Sequence, residues 1–189
     1  MRSLTSHFKW VTCPAVLERM KADYRRLGKE LDFKIPSIQA NQAWILEKGK
    51  NDNLFLEELR FNLVQETVIE KIIEKIRPLM ASENSQERLQ RQFVLISDDH
   101  FKYLSQYATP VVPHTQLSEQ KTSENLWYEE SLPPDTLLYS SLLMHRSRTD
   151  DNTADQLMKA FTQLVDEKQY IQVGGNETTG MGWCRMTLL

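Results

Sequence analysis

Between Leu54 and Arg77 the hydrophobic period changes once, and that change restricts the fold more than any other feature of the chain. Leu59, Phe61 and Leu63 alternate with more polar neighbours, a period of two that fits a strand covered on one side, read here over Leu54–Gln65. Over Glu66–Arg77 the spacing turns helical: Val68, Ile69, Ile72, Ile73 and Ile76 form one stripe, Glu70, Lys71, Glu74 and Lys75 the opposite face, and Pro78 a stop. A chain with both periods side by side must cover a sheet with helices, which makes it a mixed α+β protein.

The interleaving continues on both sides. Pro14–Leu27 reads as a helix with Val16, Met20 and Tyr24 inward, Arg19, Lys21, Arg25 and Arg26 outward, and Gly28 as its stop. Ser3–Val11 is expected to be a short separate helix, and residues 29 to 53 loop and short extended pieces. Gln92–Ile96 is expected to be a buried strand, and Ser97-Asp98-Asp99 to cap a helix over His100–Tyr107. Prolines 110, 113, 133 and 134 fence Thr109–Leu132, which reads as a protruding β-hairpin with arms Val111–Leu117 and Leu126–Glu129. Thr136–Met144 is expected to be a strand, and Asp150–Glu167 a helix with Leu157, Phe161 and Leu164 inward. Tyr170–Val173 and Trp183–Leu188 read as two closing strands around a glycine cluster, and no internal repeat is present.

At 189 residues, 40% hydrophobic and 26% charged, the chain fits one ordinary globular domain, or one plus a large insertion. No apolar run approaches the roughly 20 residues of a membrane span, and Met1–Trp10 lacks the apolar core of a secretory signal, so a cytoplasmic protein with no membrane partner is expected. Cys13 and Cys184 have no metal-ligand spacing and read as small buried apolar residues of a reducing compartment, with no zinc. The net charge of −3 hides an asymmetry: Met1–Leu31 holds seven Lys/Arg against three Asp/Glu, and the remainder 16 against 23. A polyanionic partner would have to be met by a local patch.

Four of the six glycines, Gly174, Gly175, Gly180 and Gly182, fall within nine residues. Gly175 and Gly180 have the spacing of a phosphate loop, but Met181 stands where its lysine would be and a strand follows. Two readings stay open for GGNETTGMG: a strand-to-strand loop that needs positive φ, or a backbone cradle for phosphates or a partner chain. Asp98-Asp99, with Glu57-Glu58 or Glu129-Glu130 as a third carboxylate, reads as a helix cap rather than a metal site. His7, His100, His114 and His145 stand isolated. The basic helix face with Phe8 and Trp10 fits either a nucleic-acid backbone or solvent, and Trp127 and Tyr128 either wedge into a duplex or anchor the hairpin.

Four segments carry a family resemblance: RSLTSHFKWVTCP at the start, SDDHF, LWYEESLPPDTLLYS, and YIQVGGNETTGMGWCRM near the end. In this order they resemble the RAMP-superfamily backbone subunit of the type III-B CRISPR effector, the Cmr complex, over nearly the whole chain. The resemblance implies a ferredoxin-like, RNA-recognition-type palm over residues 1–108 and 133–189, and a β-hairpin thumb over residues 109–132. Such palms hold a guide RNA backbone with the glycine-rich loop near it, and such thumbs kink the guide-target duplex. Two departures are visible. Family members carry a first palm strand and an acidic loop, with the aspartate for metal-dependent target cleavage, ahead of the motif that opens this chain, so that strand and acid are expected to be missing. Their opening of the form Arg-Ser-Leu/Phe-Lys-Gly is here Arg2-Ser3-Leu4-Thr5-Ser6.

The resemblance therefore implies a guide-binding and assembly subunit in antiviral defence, without cleavage by this chain alone, and without cofactor or bound metal. Arg2, Ser3 and Lys9 would meet phosphates, Gly174, Gly175, Asn176 and Thr178 would donate from the loop, and His114 and Trp127 would act from the thumb. Expected partners are guide (CRISPR) RNA, target RNA and other RAMP effector subunits, including copies of a full-length homologue. The alternatives are a solo subunit-like protein that enters and inhibits a host effector, and an endonuclease subunit completed by another chain.

Overall fold

The computed structural model describes residues 8 to 80 and 82 to 188. The chain forms two compact units, Met1–Lys71 with Gln90–Leu138, and Ile72–Leu89 with Tyr139–Leu189. In the first unit β1 (Trp10–Thr12), β2 (Gln42–Ile45), β3 (Asn53–Leu56), β4 (Leu59–Gln65) and β5 (Phe93–Leu95) make one sheet in the order β1-β5-β2-β4-β3. Along β5-β2-β4-β3 the pairings run antiparallel, parallel, antiparallel, the mixed pattern of a ferredoxin-like sheet, and β1 lies parallel to β5 outside it.

The core lies where the period-two residues of these strands converge. Ala43 and Ile45, Leu54 and Leu56, Phe61, Val94 and Ile96 bury one sheet face, and Leu104 of the helix over Asp98–Tyr107 covers it with Phe101. Phe93 and Leu95, one residue out of step, are buried on the opposite face. The single strand expected over Leu54–Gln65 is a hairpin of β3 and β4. Leu56 pairs with Leu59 across Glu57-Glu58, and Glu57 takes the left-handed turn conformation (φ 50°) that glycine or asparagine usually marks. Tyr103 steadies that turn by donating from its hydroxyl to Glu58 Oε1 (2.6 Å), which lowers the Glu58 pKa and raises that of Tyr103.

Helix α1 (Pro14–Arg26) starts and stops as its sequence dictates, but of the expected inward residues only Met20 is buried, with Leu17 beside it, while Val16 and Tyr24 are half-buried. Its basic face is partly spent on the chain itself. Lys21 donates to the Phe33 carbonyl and lies over that ring (5.0 Å), while Arg26 and Arg19 both pair with Asp23 (2.7 and 4.0 Å). Trp10 and Val11, expected to be helical, form β1 together with Thr12 because their partner strand β5 supplies a ladder. The rest of the expected Ser3–Val11 helix, apart from the two residues that lead into β1, lies outside the described residues. The helix α2 (Val68–Ile76) follows β4 as expected, with Ile69, Ile72, Ile73 and Ile76 buried, and Pro78 turns its end into a 3-10 turn at Arg77–Leu79. Helix α3 (Glu83–Gln92) escapes sequence reading because Leu89 is its only buried side chain. The helix Asp98–Tyr107, α4, is not capped by the Asp98 side chain. Asp98 Oδ1 instead accepts from the Ala15 N–H (2.8 Å) and caps α1, while Ser97 Oγ meets His100 Nδ1 (2.9 Å). Beside that carboxylate, burial raises the Cys13 thiol pKa to about 11, and Asp98 adds to the rise.

After α4 the chain runs into the hairpin of β6 (Val111–Leu117) and β7 (Ser123–Glu130). Thr136–Met144, expected to be a strand, joins no ladder among the described residues. Helix α5 (Ala154–Lys168) opens with a capping box of Thr153 and Gln156. Its buried residue is Val165; Leu157 and Phe161 are half-buried and Leu164 is 49% exposed, so the expected inward stripe is rotated by one position. The second unit ends in an antiparallel ribbon of β8 (Tyr170–Gln172) and β9 (Trp183–Arg185). Cys13 is buried as expected; Cys184 in β9 is only half-buried.

Candidate nucleic-acid interface

The loop between β8 and β9 is dictated by backbone conformation. Gly174, Asn176, Gly180 and Gly182 all adopt positive φ (92°, 61°, 79° and 78°), and three are glycine. Asparagine is among the few other residues that enter this region readily. At Gly182 there is a second constraint, since a Cβ would overlap the Val173 carbonyl oxygen whose own amide donates to Gly182 O (2.9 Å). The loop is held from within. Asn176 O accepts from the amides of Thr179 and Met181 (3.1 Å each) and from Thr179 Oγ1 (2.9 Å), and Gln172 Nε2 donates to the carbonyls of Gly174 (3.2 Å) and Met181 (3.4 Å).

Those bonds use the carbonyls of Gly174, Asn176 and Met181 and leave several amides unused. The N–H groups of Gly174, Gly175, Glu177 and Thr178 have no acceptor among the described residues. The left-handed Asn176 followed by the 3-10 turn Glu177–Thr179 points successive amides the same way, the geometry of an anion-binding concavity. Gly175 itself has no positive φ and nothing within 4 Å of a would-be Cβ. Its lack of a side chain therefore keeps the amides reachable rather than relieving strain. The loop's only ionised side chain is Glu177, so it can recognise an anion by donation and not by net charge.

The hairpin places another pair of candidates together. His114 and Trp127 are directly opposed in the ladder and their rings stack, with centroids 5.6 Å apart and planes 17° from parallel. Glu129 bridges them: Trp127 Nε1 donates to its Oε1 (2.8 Å), and His114 Nε2 lies 3.6 Å from its Oε2. The other face carries Val111, Leu126 and Tyr128, all exposed. Ser131 N–H donates to Pro110 O (3.1 Å) and Thr109 donates to the Glu130 carboxylate, which closes the base of the hairpin. Between residues 109 and 132 stand four glutamates and one lysine, so any contact of this element with a polyanion must run through its rings and apolar side chains.

The remaining candidates separate. Arg2 and Ser3 lie outside the described residues. Lys9 donates from Nζ to the Arg91 carbonyl (3.1 Å), and burial lowers its pKa. Lys9, His114 and Trp127 belong to the first compact unit, and Gly174, Gly175, Asn176 and Thr178 to the second. Asp98-Asp99 gathers no third ligand: among the described residues no three His, Cys, Asp or Glu side chains converge. No helix among the described residues is long and apolar enough to cross a membrane. The site residues expected from the sequence leave out Gly182, there marked only as a member of the cluster and here the loop's most constrained residue, and the aromatic residues Tyr170 and Trp183 flanking the loop; the alternation in YIQ and WCR was the signal for the last two.

Comparison with known proteins identifies a family and a fold. A family model described as the RAMP superfamily matches residues 21–185. The chain is 31% identical over 194 residues to the CRISPR system Cmr endoribonuclease Cmr4 of Pyrococcus furiosus, a match that takes in 100% of this chain and 64% of that protein. It thus spans less than two thirds of the length of that curated relative. Among solved structures it is similar to oligomeric Cmr4 from Pyrococcus furiosus (TM-score 0.66, 24% identity, 98% of this chain and 67% of that one). A second crystal structure of Pyrococcus furiosus Cmr4 (Cas7) superposes with a TM-score of 0.64 at 25% identity, over 98% of this chain and 68% of that one.

Proposed function

From the premise that the chain belongs to the RAMP superfamily, we propose that it is a backbone-type subunit of a cytoplasmic type III-B CRISPR effector that binds guide RNA and neighbouring effector subunits. The observation that carries this reading is the row of amides at Gly174, Gly175, Glu177 and Thr178 that meet no acceptor among the described residues, on a loop held from within by its other bonds. Residues 1–108 and 133–189 are read as the palm and residues 109–132 as the thumb, with His114 and Trp127 facing a guide-target duplex. Target RNA is then a second partner, and full-length homologues are the neighbours beside which the chain would stack.

The Gly175→Ala substitution tests the cradle directly. A methyl group there meets no atom within 4 Å and no left-handed φ, so melting should be unchanged. Affinity for single-stranded guide RNA, read by fluorescence anisotropy, should fall several-fold because the methyl fences the amides. In the wild type, log K should fall with log salt at about −0.7 per phosphate contacted. No RNA binding at any salt would end the proposal.

A second reading follows from the relative's own description as an endoribonuclease: the chain could form part of a nuclease completed by another polypeptide. Incubating it with a guide, its target RNA and a divalent cation, alone and together with the other subunits of a type III-B effector, separates the two. Regularly spaced cuts would favour the nuclease, and an intact target the binding role.

A further inference from the structure

The β8–β9 ribbon has two chemically distinct faces. Its register pairs Tyr170 with Arg185 and Gln172 with Trp183. Opposed residues, and residues two apart on one strand, share a face, so Tyr170, Gln172, Trp183 and Arg185 lie together. Ile171 and Cys184 take the other side, which has no aromatic ring and no charge. On the first face Trp183 is 60% exposed and Tyr170 52%. Arg185 pairs with no carboxylate among the described residues, and the Trp183 indole N–H has no acceptor there.

We propose that this face is a stacking platform for two successive bases of a single-stranded RNA, with Arg185 and the adjoining loop amides on its backbone. The reading rests on the proposed RNA-binding role and extends it to residues outside the glycine loop. Two aromatic rings, a free guanidinium and an amide are the chemistry that sequence-tolerant single-strand binding uses, and an aliphatic protein contact would not select them. Diagonal neighbours on a two-stranded sheet stand about 7–8 Å apart, which leaves Tyr170 and Trp183 room to take one splayed base each. Gln172 makes the platform and loop a single piece, because its amide is committed to the carbonyls of Gly174 and Met181. At the opposite end the ribbon is anchored to α5, whose left-handed cap Gln169 accepts from the Met186 N–H (2.8 Å).

The test uses the whole chain with a short fluorescein-labelled single-stranded RNA and the same RNA carrying abasic sites. Trp183→Ala and Tyr170→Ala should each weaken binding of the intact RNA about 5- to 100-fold, and Trp183→Phe should restore most of the loss. Against abasic RNA, wild type and Trp183→Ala should bind alike, a result that a merely structural role would not give. Arg185→Gln should make the salt slope shallower by about 0.7. Wild-type affinity in Trp183→Ala and Tyr170→Ala, with Gly175→Ala still impaired, would overturn the platform and leave the proposed function standing. A changed oligomeric state with unchanged RNA affinity would also overturn it, by making the face a protein contact. Absence of RNA binding by the wild type would sink both readings together.

Discussion

Gly182 joins two constraints at one atom: a left-handed backbone and a carbonyl oxygen lying where a side chain would begin. Substituting alanine should therefore cost about 1–3 kcal/mol, read as a fall in Tm of about 2–12 °C. Gly49→Ala is the matched control, because that glycine has open space around it and no left-handed φ, and it should leave Tm unchanged or slightly raised. Equal effects of the two substitutions would show that the loop does not need its backbone geometry. The contrast with Gly175 divides the cluster by task. Gly174, Gly180 and Gly182 set the path of the chain, whereas Gly175 keeps a surface clear. Sequence alone marks the cluster as special but cannot divide it, because φ is fixed by the ribbon that the loop closes.

At the scale of elements, the thumb-like hairpin contributes no residue to the buried core: every position from Val111 to Glu130 is exposed or half-buried. Replacing residues 112 to 129 by a short Asn-Gly turn should therefore move Tm by less than about 3 °C. Binding of a guide-target duplex should fall while single-stranded guide binding persists. A collapse of the fold in far-UV circular dichroism would show that the hairpin is structural. Elements with a strong period of their own were legible in the sequence: α1, α2, the hairpin and the ribbon. The misread ones depend on partners. Trp10 and Val11 are extended because β5 is beside them, whereas Thr136–Met144 has a strand's composition and no neighbouring strand among the described residues. Asp98 looked like the cap of its own helix and serves α1 instead, a pairing across 83 positions that no local pattern announces. The candidate site was legible at the loop and the hairpin. Lys9 was less so, since its ammonium is partly engaged by a backbone carbonyl distant in sequence.

Taken whole, the molecule has a net charge of −3, so no general attraction draws a polyanion toward it. Its association with RNA should run near the unsteered rate of about 10⁵–10⁶ M⁻¹s⁻¹. Raising salt from about 50 to 200 mM should act chiefly on dissociation. Stopped-flow measurement of both rates checks this, and an association rate that falls in step with affinity would point to a steering surface. The pairing of β1 with β5 has a consequence for synthesis. Among the described strands β5 is the only neighbour of β1, and the cap of α1 arrives with Asp98. From Arg26 to Asp98 the ribosome adds 72 residues, which takes on the order of 4–14 s at 5–20 residues per second. During that interval β1 lacks its partner strand and α1 its cap, so the nascent chain offers chaperones Val11, Leu17 and Met20, which the finished protein holds half-buried or buried.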